Sequence, residues 1–134
     1  MSEHAAVLFA NDAFYLAFDR RDMEAMEDVW ASRAAVTCIH PGWNPIDGRD
    51  AVMESWRAIL SSSGAPKIKC HNATAHVHGS TAYVTCHEVL DRGFLAATNV
   101  FVREDGSWKM VHHHAGTAPP PAESDEPASP PTMQ

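Results

Sequence analysis

The second half of the chain repeats one pattern four times. Residues 67–78, 81–91, 94–104 and 107–115 each alternate side chains in the manner of β-strands, and only short links separate them. Those links contain Gly79, Gly93 and Gly106. Short glycine-containing links between alternating runs make consecutive antiparallel hairpins, so the spacing predicts a four-stranded meander. The first half has a different period. In residues 3–19 the apolar side chains Val7, Leu8, Ala10, Phe14, Tyr15 and Phe18 recur as one face of a helix. Asp22 is placed to cap a second helix carrying Met23, Met26, Val29 and Trp30. Residues 34–40 read as a short strand that stops at Pro41-Gly42, and residues 41–48 as a loop. Asp50 then opens a third helix with Val52, Met53, Trp56, Ile59 and Leu60 on one face. The order α-α-β-α-β-β-β-β implies an α+β fold in which three N-terminal helices cover one face of a curved antiparallel sheet.

Composition narrows what such a fold can do. The last eighteen residues, 117–134, hold six of the nine prolines, three acids and no Lys, Arg or aromatic residue. A segment of that kind buries too little apolar surface to offset its ordering entropy. The reading is therefore one folded domain over residues 1–116 and a disordered proline-rich acidic tail over 117–134. Ten Lys and Arg against seventeen Asp and Glu give a net charge of -7. Phosphate backbones require clustered cations, and here they are scattered, so nucleic acid is excluded as a partner. No run approaches the roughly 20 apolar residues that span a bilayer, and the N-terminus has acids where an export signal needs bases. Cys38, Cys70 and Cys86 sit in apolar or alternating segments, as reduced core thiols do. These features point to the cytoplasm and to no membrane partner.

Three segments carry a family resemblance: AFDRRDMEAMEDVWA, IHPGWNPIDGRDAVMESW and FVREDGSWKMVHHHAG. Across residues 5–116 the chain resembles the nuclear transport factor 2-like superfamily, most closely its SnoaL-like branch and the association domain of calcium/calmodulin-dependent kinases. IHPGW is similar to a subset of uncharacterised bacterial members. The resemblance implies a cone whose concave sheet face and three helices enclose a pocket, with the convex face packed in a homodimer. It implies no single activity, because members include isomerases, dehydratases, cyclases, epoxide hydrolases and assembly domains.

Alternation divides the strand residues into two sets. One holds Tyr83, Thr85, His87, Val89, Leu95, Ala97, Asn99, Phe101, Val111, His113 and Ala115; the other holds Val84, Cys86, Glu88, Trp108, Met110, His112 and His114. Both are too apolar for open water, so one face needs the helices and the other a second copy. Matching to the kinase association domain implies that the set with His87, Asn99 and His113 faces the pocket. The expected ligand is a small organic molecule. His87 and His113 are the candidate acid/base groups, because imidazole titrates near neutrality, with Asn99 orienting them. The bland alternative is a satisfied polar patch. Tyr83, Thr85, Asn99, Phe101 and Val111 complete the expected pocket wall. His40 and Trp43 stand at its lip, where Trp43 either recognises a ligand or plugs the mouth. No acid belongs to the pocket set, and Asp47 is the nearest to the mouth. Cofactor-independent isomerisation, dehydration or cyclisation is the expected chemistry. A non-catalytic ligand-binding or oligomerisation domain is the alternative. Nine histidines invite a metal reading, but HVH at 76–78 and HHH at 112–114 lack the spacing of metal sites. No phosphate cradle or dinucleotide fingerprint is present, so neither metal nor cofactor is expected.

Overall fold

A computed structural model describes residues 2–122. Helix α1 (Glu3–Arg20) begins at Ser2, whose hydroxyl accepts from the Ala5 N–H at 3.0 Å. It ends at Arg21, which takes the left-handed conformation (φ 53°) while the Arg21 and Asp22 N–H groups return to Phe18 and Ala17. Asp22 then caps α2 (Met23–Val29) by accepting from Ala25 N–H. After β1 (Thr37–Ile39) and the two-residue β2 (Ile46–Asp47), α3 (Arg49–Ser61) buries Val52, Met53, Trp56 and Leu60. The meander follows as β3 (Lys69–His78), β4 (Thr81–Leu90), β5 (Gly93–Glu104) and β6 (Ser107–Ala118).

The six strands form one curved, unclosed sheet in the order β2-β1-β6-β5-β4-β3. The sheet is mixed, not wholly antiparallel as the meander alone implied, because β1 runs parallel to β6, pairing Cys38 with His113. The parallel direction is set just upstream, where Trp30 bridges Met110 and the Ala31 N–H donates to the Met110 carbonyl at 2.9 Å. Strand β2 escaped the sequence reading because two residues show no alternation. The domain boundary also moves: Thr117 and Ala118, expected in the tail, pair with Leu95 and Phe94 in β6. Nothing before Pro119 removes a backbone donor from that ladder. Residues 123–134 of the expected tail lie outside the described residues.

Register decides which side chains face the helices. Directly paired residues share a face, and across three strands Val84 pairs with Asn99 and Asn99 with His113. The concave set is therefore Val84, Cys86 and Glu88 with Leu95, Ala97, Asn99, Phe101, His113 and Ala115. This corrects the expected grouping of β4. Tyr83, Thr85 and His87 pair with Val100, Thr98 and Ala96 on the convex face. The reason is geometric: the two-residue link at Asp91-Arg92 pairs Leu90 with Gly93, so even-numbered positions of β4 must face odd-numbered positions of β5. An irregularity lies between β5 and β6, where Phe101 pairs with Met110 but Val100 with His112. Val111 is the extra residue of this bulge. It lets Trp108 and Met110 share the concave face with His113, against the expectation that put them with His112.

The core lies between this concave face and α1 and α3, with Phe14, Trp56, Phe101 and Met110 all at most 1% exposed. Met110→Ala should lower unfolding free energy by about 2–4 kcal/mol in urea titration, as expected for a fully buried large side chain. A cost near zero would mean that the bulge does not place Met110 inside.

Candidate functional site

Between α1, α3, the Pro41 loop and the concave sheet lies a cavity of about 300 Å³. Its wall is aromatic: Phe14 and Phe18 from α1, Trp56 from α3 and Trp43 from the loop. Phe14 and Trp56 meet edge to face at 5.4 Å, and His40 packs against Trp56 at 4.7 Å and Trp43 at 4.8 Å. Into this wall project four polar side chains, Tyr15, His40, Glu88 and His113. Helical spacing correctly made Phe14, Phe18 and Trp56 core residues, but their inner edges also bound the cavity.

The polar groups are joined. The Tyr15 hydroxyl donates to Glu88 Oε2 at 2.5 Å and touches Cys86 Sγ at 3.3 Å. Asn99 Nδ2 donates to Asn11 Oδ1 at 2.8 Å and to the Tyr15 oxygen at 3.2 Å. Its own carbonyl oxygen therefore faces His113 Nδ1, 2.6 Å away. An acceptor there assigns the proton to Nδ1. His113 Nε2 is left with its lone pair free, 3.9 Å from Glu88 Oε2.

Within this frame the residues nominated from sequence separate. His40, Trp43 and His113 line the cavity. Asn99, fully buried, stands behind His113, and Phe101 lies in the core beneath. Val111 occupies the bulge, while Tyr83, Thr85 and His87 are on the far side of the sheet. Asp47 is exposed in β2 and does not border the cavity. The acid of the site is Glu88, which sequence reasoning put on the wrong face. The signal that could have found it was the parity of the two-residue hairpin link.

The sequence profile of the SnoaL-like domain matches residues 7–119. The chain belongs to the SnoaL-like family. A solved structure similar to this SnoaL-like protein is a candidate dehydratase of the NTF2-like family from Streptomyces avermitilis, 32% identical, with a TM-score of 0.80 and coverage of 87% of this chain and 96% of that one. Another is a candidate calcium/calmodulin-dependent protein kinase type II association domain from Thiobacillus denitrificans, 35% identical, TM-score 0.73, covering 81% and 92%. The CaMKII hub of S. rosetta is 26% identical, TM-score 0.71, covering 88% and 98%. Among curated proteins, the F-box protein SKIP8 of Arabidopsis thaliana is 30% identical over 112 residues. The match takes in 82% of this chain and 48% of that protein, so the chain spans about half the length of the curated relative it matches.

Electrostatics set the site apart from an ordinary core. Burial pushes the Glu88 carboxyl up to about 7, although the Tyr15 hydrogen bond opposes it. Burial pushes His113 down to about 3, helped by the neighbouring His40, His112 and His114, and it pushes His40 down to about 4. Tyr15 is raised well above its ordinary value, first by burial and then by Glu88. The Cys38 thiol is raised to about 12 by burial, and Cys86 is raised by its contact with Cys70 and by burial. Neither is a ready nucleophile. His40 Nε2 lies 2.9 Å from Ser55 Oγ, but Ser55 donates its own proton to the Val52 carbonyl at 2.7 Å, so it is not activated by the imidazole. Among the described residues no group of three or more His, Cys, Asp or Glu converges as metal ligands would.

These shifts bear on stability with opposite signs. Because Glu88 holds its proton to higher pH when folded, its contribution is fully present below about 4.5 and is lost as pH rises through about 7. The depressed histidines favour the fold above about 6.5, and that stability is lost as pH falls toward 4 and 3. Glu88→Gln should therefore gain about 2 kcal/mol relative to wild type on going from pH 5 to pH 8, read by chemical denaturation. A difference independent of pH would place the Glu88 carboxylate in water.

Proposed function

We propose that this protein catalyses cofactor-independent proton transfer on a small, uncharged organic molecule, with elimination of water from a hydroxy ketone as the reaction that suits the site best. The observation that carries this reading is the Glu88–His113 pair in an apolar cavity. At pH 7 a large share of Glu88 is a neutral carboxylic acid, and His113 is a neutral imidazole with a free Nε2 lone pair. One is an acid and the other a base, 3.9 Å apart. His113 Nε2 takes the proton from the carbon beside the carbonyl while Glu88 protonates the departing hydroxyl. A carbon–carbon double bond and water result. The imidazolium then returns its proton to the carboxylate, which restores both groups. Isomerisation uses the same pair with the proton returned to substrate carbon. Neutral substrates are favoured because, among the described residues, no Lys or Arg borders the cavity to compensate a carboxylate or phosphate. The similarity to a candidate dehydratase agrees with this class. Three free thiols suit the cytoplasm as its location.

The test uses a panel of neutral β-hydroxy ketones small enough for the cavity, followed by the absorbance of the enone product. Wild-type turnover should fall as pH rises through about 7, because the acid is then ionised. Glu88→Gln and His113→Gln should each lose about 10²–10⁴-fold. Turnover retained in both variants would overturn the assignment.

We also infer self-association through the convex sheet face. That face carries Tyr83, Val100 and Val102 half-buried with no helix above them, and relatives named as an association domain and a hub have the same fold. Val100→Asp should convert a dimer to monomer in sedimentation velocity, while an unchanged sedimentation coefficient would remove this face as the interface.

A further inference from the structure

The convex face holds six of the nine histidines. The register puts His71, His76 and His78 of β3, His87 of β4, and His112 and His114 of β6 on this one surface, because each pairs across the sheet with another convex residue or lies two positions from one. His76 and His78 stack on Tyr83 at 4.7 and 5.8 Å, and His112 and His114 lie 6.3 Å apart. The other charged or titratable side chains on the same face are Lys69 and Lys109, at its ends, Tyr83, Glu104 of β5 and Asp47 of β2; β1 contributes none. The two carboxylates of the paired ladder that share the face stand at its margins: Glu104 accepts from the Ser32, Arg33 and Ala34 N–H groups, and Asp47 lies on the edge strand β2, beside Thr37. Near its centre an open hollow of about 500 Å³ is bordered by Thr85, His87, Thr98 and His114, and His87 Nδ1 is buried there without a hydrogen-bond partner.

We propose that this histidine surface makes pairing with a second copy of the chain dependent on pH, holding two copies together at pH 8 and releasing them near pH 6. The inference rests on the self-association reading above and adds its regulation. A neutral imidazole has one donor and one acceptor, so a surface of neutral imidazoles and threonines can pair with its own copy about a two-fold axis. A polyanionic partner fits less well, since the centre of the face has no fixed cation. Protonation removes the acceptor and places like charges opposite one another, while the two carboxylates of each copy stand at the margins of the face, Glu104 held by backbone N–H groups and Asp47 on the edge strand. Two-fold symmetry doubles every charge gained. Burial already disfavours the charged form of His112 within one chain, with His114 adding to the effect against the opposing hydrogen bond at Thr37. Covering the face with a second copy strengthens that desolvation for each imidazole it reaches.

The experiment is sedimentation velocity on the full chain at pH 8 and pH 6, with circular dichroism confirming the fold at both. If one imidazole per copy falls in pKa by about 1 on pairing, the dimer dissociation constant rises about tenfold at pH 6. The variant carrying His87→Gln, His112→Gln and His114→Gln should dimerise alike at the two pH values. His114→Lys, a change at an exposed position, should mimic protonation and weaken the dimer at pH 8 by a similar factor. A wild type that is monomeric at pH 8 would overturn self-association itself, and the inference with it. A dimer equally tight at pH 8 and pH 6, or one that His114→Lys leaves unweakened, would overturn the pH dependence and leave self-association standing. Acid release that persists in the triple glutamine variant would likewise assign it to other groups.

Discussion

A hydrogen-bonded chain from Asn11 through Asn99 to His113, with Tyr15 joining Asn99 to Glu88, ties α1 to the three central strands. Each member is buried, and an unpaired member would cost about 1–3 kcal/mol, so the helix can sit on the sheet only in the position that satisfies all of them. The same chain dictates the chemistry. It fixes the Asn99 amide orientation, that orientation fixes the His113 tautomer, and the tautomer leaves an unprotonated nitrogen 3.9 Å from a carboxyl oxygen. Fold and site are in this sense one set of contacts. The apolar wall around them raises Glu88 and lowers His113, which holds both groups toward their neutral forms.

The sheet presents two surfaces of contrasting design. Its concave side has one carboxylate and one imidazole among large aromatic and aliphatic groups. Its convex side has six imidazoles and several hydroxyls, with carboxylates, Asp47 and Glu104, only at its margins. Alternation along β4 and β6 supplies both surfaces at once: Glu88 follows His87, and His113 stands between His112 and His114. A substitution at one of these positions acts on one surface, whereas a shift in register would exchange them.

Much of the fold was legible in residues alone. Ser2, Asp22 and the apolar spacing of α1 and α3 mark the helices locally, and the glycine links mark the hairpins. The short-range rule at Asp91-Arg92 also contained the parity of β4 against β5, which alternation read strand by strand does not use. What no local pattern disclosed was the Val111 bulge, which shows only in the register of β6 against β5. The two-residue β2 was equally invisible, as was the partnership of Tyr15 with Glu88, 73 residues apart.

By itself the sequence determined the class of fold and the order of its helices and long strands, because periodicity and turn chemistry act over a few residues. It also determined that His87 and Glu88 must face opposite ways. Only the tertiary structure decided which way each faces. That choice depends on the register between strands and on the helix laid across them, and these are set by the simultaneous burial of aromatic side chains and pairing of polar ones from distant parts of the chain.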